Sequence, residues 1–242
     1  MFQIFAKEVR LFFSSLTGYI AILVFLVANG LFMWVFPGEM NVLDAGYSSM
    51  DTLFMLAPWV FLFLVPAITM RTFSEEHKAG TLELLLTKPI TEMELVMGKF
   101  LASVFLVFCA IVPTLIFFFS VYSLGNPVGN IDLGGTWGSF LGLFFLASAY
   151  VAIGIFTSTL STNQIVSFIL SMLLSFTLYL GFEFIGTIQA LRGIESTVVW
   201  LGINDHYKSM SRGVIDSRDV IYFLSVSAIF LFASKLILQR RK

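Results

Sequence analysis

A chain of 242 residues that is 58% hydrophobic and 12% charged holds about half the charge of an ordinary soluble domain. Its formal net charge of −1 gives no basic field for a nucleic acid, and 2 histidines with 1 cysteine, Cys109, offer no basis for a metal centre or an internal disulfide. Composition therefore predicts an all-α polytopic membrane protein, organised as one domain over residues 1–242.

The first element is a run in which Phe2, Phe5, Val9, Phe12 and Leu16 recur at three- and four-residue steps. These side chains share one face of a helix, with Lys7 and Glu8 elsewhere, which suits a segment lying in the membrane interface. A plain extension of the first span is the other reading. Six apolar stretches of about the 20 residues needed to cross a bilayer follow, at 17–36, 52–70, 100–121, 137–156, 165–182 and 220–234. None holds Asp, Glu, Lys or Arg within those limits, as the cost of a charge in lipid requires. The first span ends in bulky residues without a small-residue cleavage pattern, so it reads as retained and not as a signal peptide.

With the N-terminus inside, the inner segments carry Lys7, Arg10, Arg71, Lys78, Lys88, Lys99, Lys235, Arg240, Arg241 and Lys242. The outer ones carry Arg192, Lys208, Arg212 and Arg218. That bias predicts cytoplasmic N- and C-termini.

Between spans two and three runs EEHKAGTLELLLTKPITEMEL, from Glu75 to Leu95. Glu75 to Lys78 continue the second helix, and Gly80 breaks it, being tolerant of left-handed backbone. Thr81 is placed to cap a short helix of leucines that Pro89 stops. Thr91 and Glu94 form a capping box that starts the next helix through Lys99. A helix of one or two turns is marginal alone and must dock. Its dock is either the protein's own inner face or a groove on a cytoplasmic partner.

Glu76-x-x-x-Gly80-Thr81-x-Glu83, followed by Leu84-Leu85 and Pro89-Ile90, resembles the cytoplasmic loop of ABC transporter permeases of the type 2 exporter class. Its place between spans two and three of six is part of that resemblance. It implies a coupling helix, built by Glu76, Gly80, Thr81, Glu83, Leu84, Leu85, Leu86 and Pro89, that rests in a groove of an ATPase subunit. The turn Ser158-x-Leu160-Ser161-x-Asn163-Gln164 is similar to a second inner turn of such permeases, with Asn163 and Gln164 at its centre. The segment 211–219 resembles the outer segment of a narrower branch that holds the gliding-motility ABC permeases and the permeases linked to nitrous oxide reductase assembly. The overall layout, with the opening Phe-x-Lys-Glu, resembles the gliding-motility permeases most closely.

The pattern G-x-x-x-x-G-K-[ST] does not occur, since Gly98-Lys99 is followed by Phe100. The chain is thus read as a permease subunit that is not itself an enzyme and holds no cofactor, with ATP and Mg on a partner ATPase. The resemblance further implies a second membrane chain, identical or different, an accessory gliding-motility membrane protein, and a bacterial inner membrane. A non-transporting membrane scaffold of a motility or secretion complex is the alternative. The outer segment 187–219 reads as a lid or partner contact, or as interfacial helices anchored by Trp200 and Tyr207, with Asn204 or Asp205 capping one that Gly213 ends. The second reading is favoured. Glu183 reads as an interfacial carboxylate, and Gly138-x-x-x-Gly142 as a place where helices approach closely.

Overall fold

A computed structural model describes residues 1–87, 89–187, 193–213 and 215–240, without the side chains of Thr17 and Leu86. Lys88, Arg192, Arg241 and Lys242, counted above for orientation, lie outside it. The described residues form helices joined by turns, with no strand among them. Helix α1 (Phe2–Ser14) bends by 70° into α2 (Leu16–Trp34), and α3 (Asp51–Thr69) follows. Two short helices, α4 (Ser74–Lys78) and α5 (Thr81–Leu86), lead to α6 (Glu92–Ile111). A 3-10 turn at Val112–Thr114 passes α6 into α7 (Leu115–Leu124), and α8 (Leu133–Leu160) is the longest element. Helix α9 (Gln164–Phe176) runs through a π-helical turn at Thr177–Gly181 into α10 (Phe182–Gly186). Then come α11 (Glu195–Trp200), α12 (Ile203–Met210) and α13 (Ser217–Gln239).

Five of these helical stretches are long and apolar enough to cross a membrane, and the bent α1–α2 pair makes a sixth. The predicted third span is two helices because Pro113 supplies no amide to continue the α-helical ladder. Local chemistry sets several starts. The Asp132 carboxylate accepts from the Gly135 amide at 2.9 Å to cap α8. Asn163 does the same for the Ile165 amide ahead of α9, and Asp216 for the Arg218 amide ahead of α13, both at 2.9 Å.

Helix α8 is the pillar of the bundle. In its most apolar stretch 72% is buried, against 22% for the spans built on α9 and on α13. The latter two therefore present most of their surface outward, to lipid or to another chain. Gly154 of α8 makes the α3 contact possible: a Cβ there would sit 2.0 Å from Thr69 Oγ1. Aromatic pairs join α8 to its neighbours, Phe54 to Phe140 at 5.0 Å and Phe145 to Phe223 at 6.3 Å, while Phe25 stacks on Phe61 at 4.7 Å between α2 and α3.

The end of the bundle opposite α5 departs most from expectation. Tyr207 is no interfacial anchor; it is 4% exposed, and its hydroxyl donates to the Phe54 carbonyl at 2.6 Å. That carbonyl is the one whose helical donor would be residue 58, which is proline. Tyr207 thus supplies the hydrogen bond that Pro58 cannot. Burial first, and Tyr179 second, push the Tyr207 phenol pKa well up, so the group stays a donor. Asn204 and Asp205 do not cap α12, because both lie inside it and the N-cap is Gly202. Gly213, at φ +83°, does end the turn after α12. The Gly138 and Gly142 pair serves this segment and not another span: a Cβ at Gly138 would meet the Gly213 Cα at 2.8 Å, and one at Gly142 the Met210 Cβ at 3.0 Å. Trp200 is half exposed, as an anchor should be. Glu183 pairs with Lys208 at 2.7 Å.

His206 is a second buried junction at this end. It is 2% exposed, with Nδ1 2.7 Å from Asp219 Oδ1 and Nε2 2.8 Å from the Trp200 carbonyl. Its ring stacks on Tyr222 at 3.8 Å. The cluster ties α11, α12 and α13 together.

Candidate functional site

The segment after α3 is built from hydroxyls and glycine. The Thr72 and Ser74 hydroxyls donate to the Thr69 and Met70 carbonyls, covering acceptors that a turn between helices would leave open. The Phe73 amide donates to Ser158 Oγ of α8 at 2.8 Å. Helix α4 ends at Gly80, whose φ of +67° is left-handed and whose absent Cβ would meet nothing within 4 Å. The glycine is needed there for its backbone and not for space.

Thr81 does not cap α5. Gly80 holds that position, and the Thr81 hydroxyl donates back to the Glu76 carbonyl at 3.3 Å, tying α5 to α4. Nor do the leucines project alike. Leu82 is 4% exposed and joins the protein's own core. Leu84 is 65% exposed and Glu83 is exposed, while Leu85 is half-buried. The Leu86 side chain lies outside the described residues. Pro89 is exposed beyond the end of α5. So α5 rests on the body through one leucine and turns Glu83 and Leu84 outward.

Helix α6 opens with the expected capping box. Thr91 Oγ1 accepts from the Glu94 amide at 3.2 Å, and Glu94 Oε2 accepts from the Thr91 amide at 3.1 Å. Two turns on stands a residue the sequence reading placed among ordinary inner lysines. Lys99 is 1% exposed. Its ammonium donates to the Thr72 carbonyl at 2.6 Å and to Glu8 Oε1 at 2.9 Å. It lies 3.0 Å from Glu76 Oε2 as an ion pair, and 4.9 Å from the centre of the Phe73 ring. Lys7 reaches the other Glu76 oxygen at 3.3 Å. A buried ammonium persists only with such compensation.

Lys99 therefore pins three elements at one point: α1 through Glu8, the α3–α4 turn through Thr72, and α4 through Glu76. Glu76, singled out in the sequence for its place in the loop, is the side chain through which the α4–α5 hairpin meets α1 and α6. Around the cluster α1 closes tightly on α6, where a Cβ at Gly98 would sit 3.0 Å from Ile4. Helix α1 is therefore no plain extension of the first span: it meets α2 at 70° and packs on α6 through the buried Ile4, while Phe2 and Leu11 are exposed.

The second predicted turn lies at the same end, and α4 packs against both α8 and α9 there. Asn163 is exposed and spends its side-chain oxygen on capping α9; Gln164 is the first residue of that helix and half-buried. The structure brings these two near the hairpin but gives Asn163 a local job.

Gly80 is legible in the sequence as a helix break, and Glu76 through the loop motif that carries the resemblance. Lys99 could have been found from one signal, a lone lysine two turns inside a helix that is uncharged beyond its first turn, which needs a carboxylate partner. Glu8 as that partner is too distant in sequence to infer.

No curated protein matches this chain. The family model for the ABC-2 family transporter protein matches residues 3–238, nearly the whole sequence. A bundle of apolar helices with a short hairpin helix held outside it fits that match, and the chain belongs to the ABC-2 family, the membrane components of ABC transporters.

Proposed function

We propose that this chain is the permease subunit of an ABC exporter and that α5 is the element coupling it to a separate ATPase subunit. The observation that carries this reading is the division of labour on α5. Leu82 anchors the helix to the body, while Leu84 and Glu83 stand free at its outer face. An exposed leucine beside a carboxylate on a helix too short to stand alone suits a groove on another protein.

On this reading the α5 end is cytoplasmic and both termini lie there, in a bacterial inner membrane. ATP and Mg sit on the partner. Closure of the ATPase pair moves α5, and Gly80 sets the angle at which that motion enters α4. The Lys99 cluster then passes it to α1 and α6 as one rigid body, because Glu76, Glu8 and Thr72 share a single ammonium. Asn163 and Gln164 form a second contact beside it. The outward surfaces of α9 and α13 leave room for the second membrane chain that a path between subunits requires. The sequence resemblance to gliding-motility permeases makes export for, or force transfer to, a motility complex the specific task, with an accessory membrane protein alongside.

The test is a photoreactive residue in place of Leu84 in native membranes, with adducts identified by mass spectrometry. An ABC ATPase adduct is expected, and it should be lost when the reactive group is moved to position 82. Adducts with lipid or with the same chain alone would refute the coupling role.

A further inference from the structure

Beside the Lys99 cluster, under the α1–α2 elbow, the structure holds a crevice of about 310 Å³ between α1, the α3–α4 turn and α6. Its walls divide by chemistry. At the mouth stand Lys7, Arg71 and Glu75, all exposed. Ile68 and Leu106, both buried, give it an apolar floor, and Leu11 stands exposed at its edge. With Lys99, Glu8 and Glu76 included, the lining has three cationic and three anionic side chains, so its formal charge is zero.

We propose that this crevice binds a phospholipid with a primary-ammonium headgroup, phosphatidylethanolamine in chemical class. Three features decide the class. A ligand for this space must be amphiphilic, because a charged mouth and an apolar floor meet within it. It must carry both signs, because a lining with equal cations and anions gives a simple anion no net attraction. And Glu75 offers a free carboxylate that prefers an ammonium with N–H groups to donate over a methylated one without them. The phosphate then faces Lys7 and Arg71, and the ammonium faces Glu75. The volume holds the headgroup and the first methylenes, and the tails leave along the apolar surface of α1, where Leu11 is already exposed.

The position gives the lipid a consequence. It would touch Lys7 and Glu75, which flank the Glu76 junction between α1 and α4, so an occupied crevice would bind α1 to the α3–α4 turn more firmly.

The experiment is native mass spectrometry of the full-length chain, with any subunits that co-purify, released from nanodiscs of equal phosphatidylethanolamine, phosphatidylcholine and phosphatidylglycerol. Retention of the ethanolamine lipid over the choline lipid by about tenfold is expected, the ratio of one charge-assisted hydrogen bond. Glu75→Gln should reduce that ratio to near unity, whereas Lys208→Gln, at the opposite end, should leave it unchanged. Equal retention of all three lipids would overturn the proposal as ordinary annular lipid. Preference for phosphatidylglycerol would overturn it in favour of an anion site. An ethanolamine preference indifferent to Glu75→Gln would overturn the placement. None of these outcomes bears on cross-linking from Leu84, so this site and the coupling role fail separately.

Discussion

Replacing Lys99 by Met removes one ammonium and keeps most of the stem that packs over Phe73. The loss is thus electrostatic. Glu8 and Glu76 keep only 19% and 14% side-chain exposure, and Glu76 retains Lys7 while Glu8 loses its cation. The Thr72 carbonyl also loses its 2.6 Å donor. Breaking a buried pair from one side costs about 3–5 kcal/mol. The partial exposure of both carboxylates and the surviving Lys7 contact put this case near the lower end, about 3 kcal/mol, or roughly 100-fold in the equilibrium. At this chain length that corresponds to a fall of about 6–12 °C in midpoint, read by thermal unfolding in detergent. Lys7→Met, removing a cation that is 52% exposed, should cost under about 1 kcal/mol. The decisive variant is the triple Lys99→Met, Glu8→Gln, Glu76→Gln, in which no charge is left unpaired at the centre. It should be more stable than Lys99→Met alone. A Lys99→Met shift no larger than that of Lys7→Met, or a triple variant worse than the single, would refute the view of Lys99 as the compensated centre of the junction.

Gly80→Ala should destabilise the hairpin by about 1–2 kcal/mol, since a Cβ meets open space but the backbone is left-handed. Gly80→Asn should cost less, and hydrogen exchange across 74–87 would report both. Leu84→Asp should leave the midpoint within about 0.5 kcal/mol of wild type while abolishing stimulation of the partner ATPase; Leu82→Asp should lower the midpoint itself. Gly154→Val should push α3 from α8, at a cost of about 3 kcal/mol or more, because its Cβ would meet Thr69 at 2.0 Å, and loss of folded yield in detergent would show it. Tyr207→Phe should cost about 1–3 kcal/mol by thermal unfolding, the penalty of an unpaired buried carbonyl at Phe54.

Features set by a few neighbouring residues were legible in advance. Six apolar runs follow from composition over about 20 residues each, and the Gly80 break and the Thr91–Glu94 box from chemistry within about one helical turn. Two of the missed features, at Lys99 and Tyr207, join distant parts of the chain. Lys99 reads as solvated until Glu8 and Glu76 are seen to converge on it. Tyr207 reads as an interfacial aromatic until α12 is seen packed against α8. Thr81 fits the composition of a cap, but the left-handed Gly80 had already taken the place, so its hydroxyl turned back to Glu76. The π-helical turn at Thr177–Gly181 has no breaker residue other than its final glycine, and periodicity over so few residues cannot reveal it. Leu82 and Leu84 are equivalent by type, and only the side on which α5 lies against the body separates them.

The hydroxyl that Tyr207 lends to α3 has a consequence for the order in which this sequence can change. As long as residue 58 is proline, position 207 cannot lose its hydroxyl cheaply, because the Phe54 carbonyl has no amide to fall back on. Were Pro58 to become alanine first, the restored amide would complete the helix, and Tyr207→Phe would become nearly silent. The reverse order passes through a weakened protein. Two positions on different helices are thereby locked into a one-way sequence of substitutions, and a library randomised at 58 and 207 together should recover alanine with phenylalanine far more often than proline with phenylalanine.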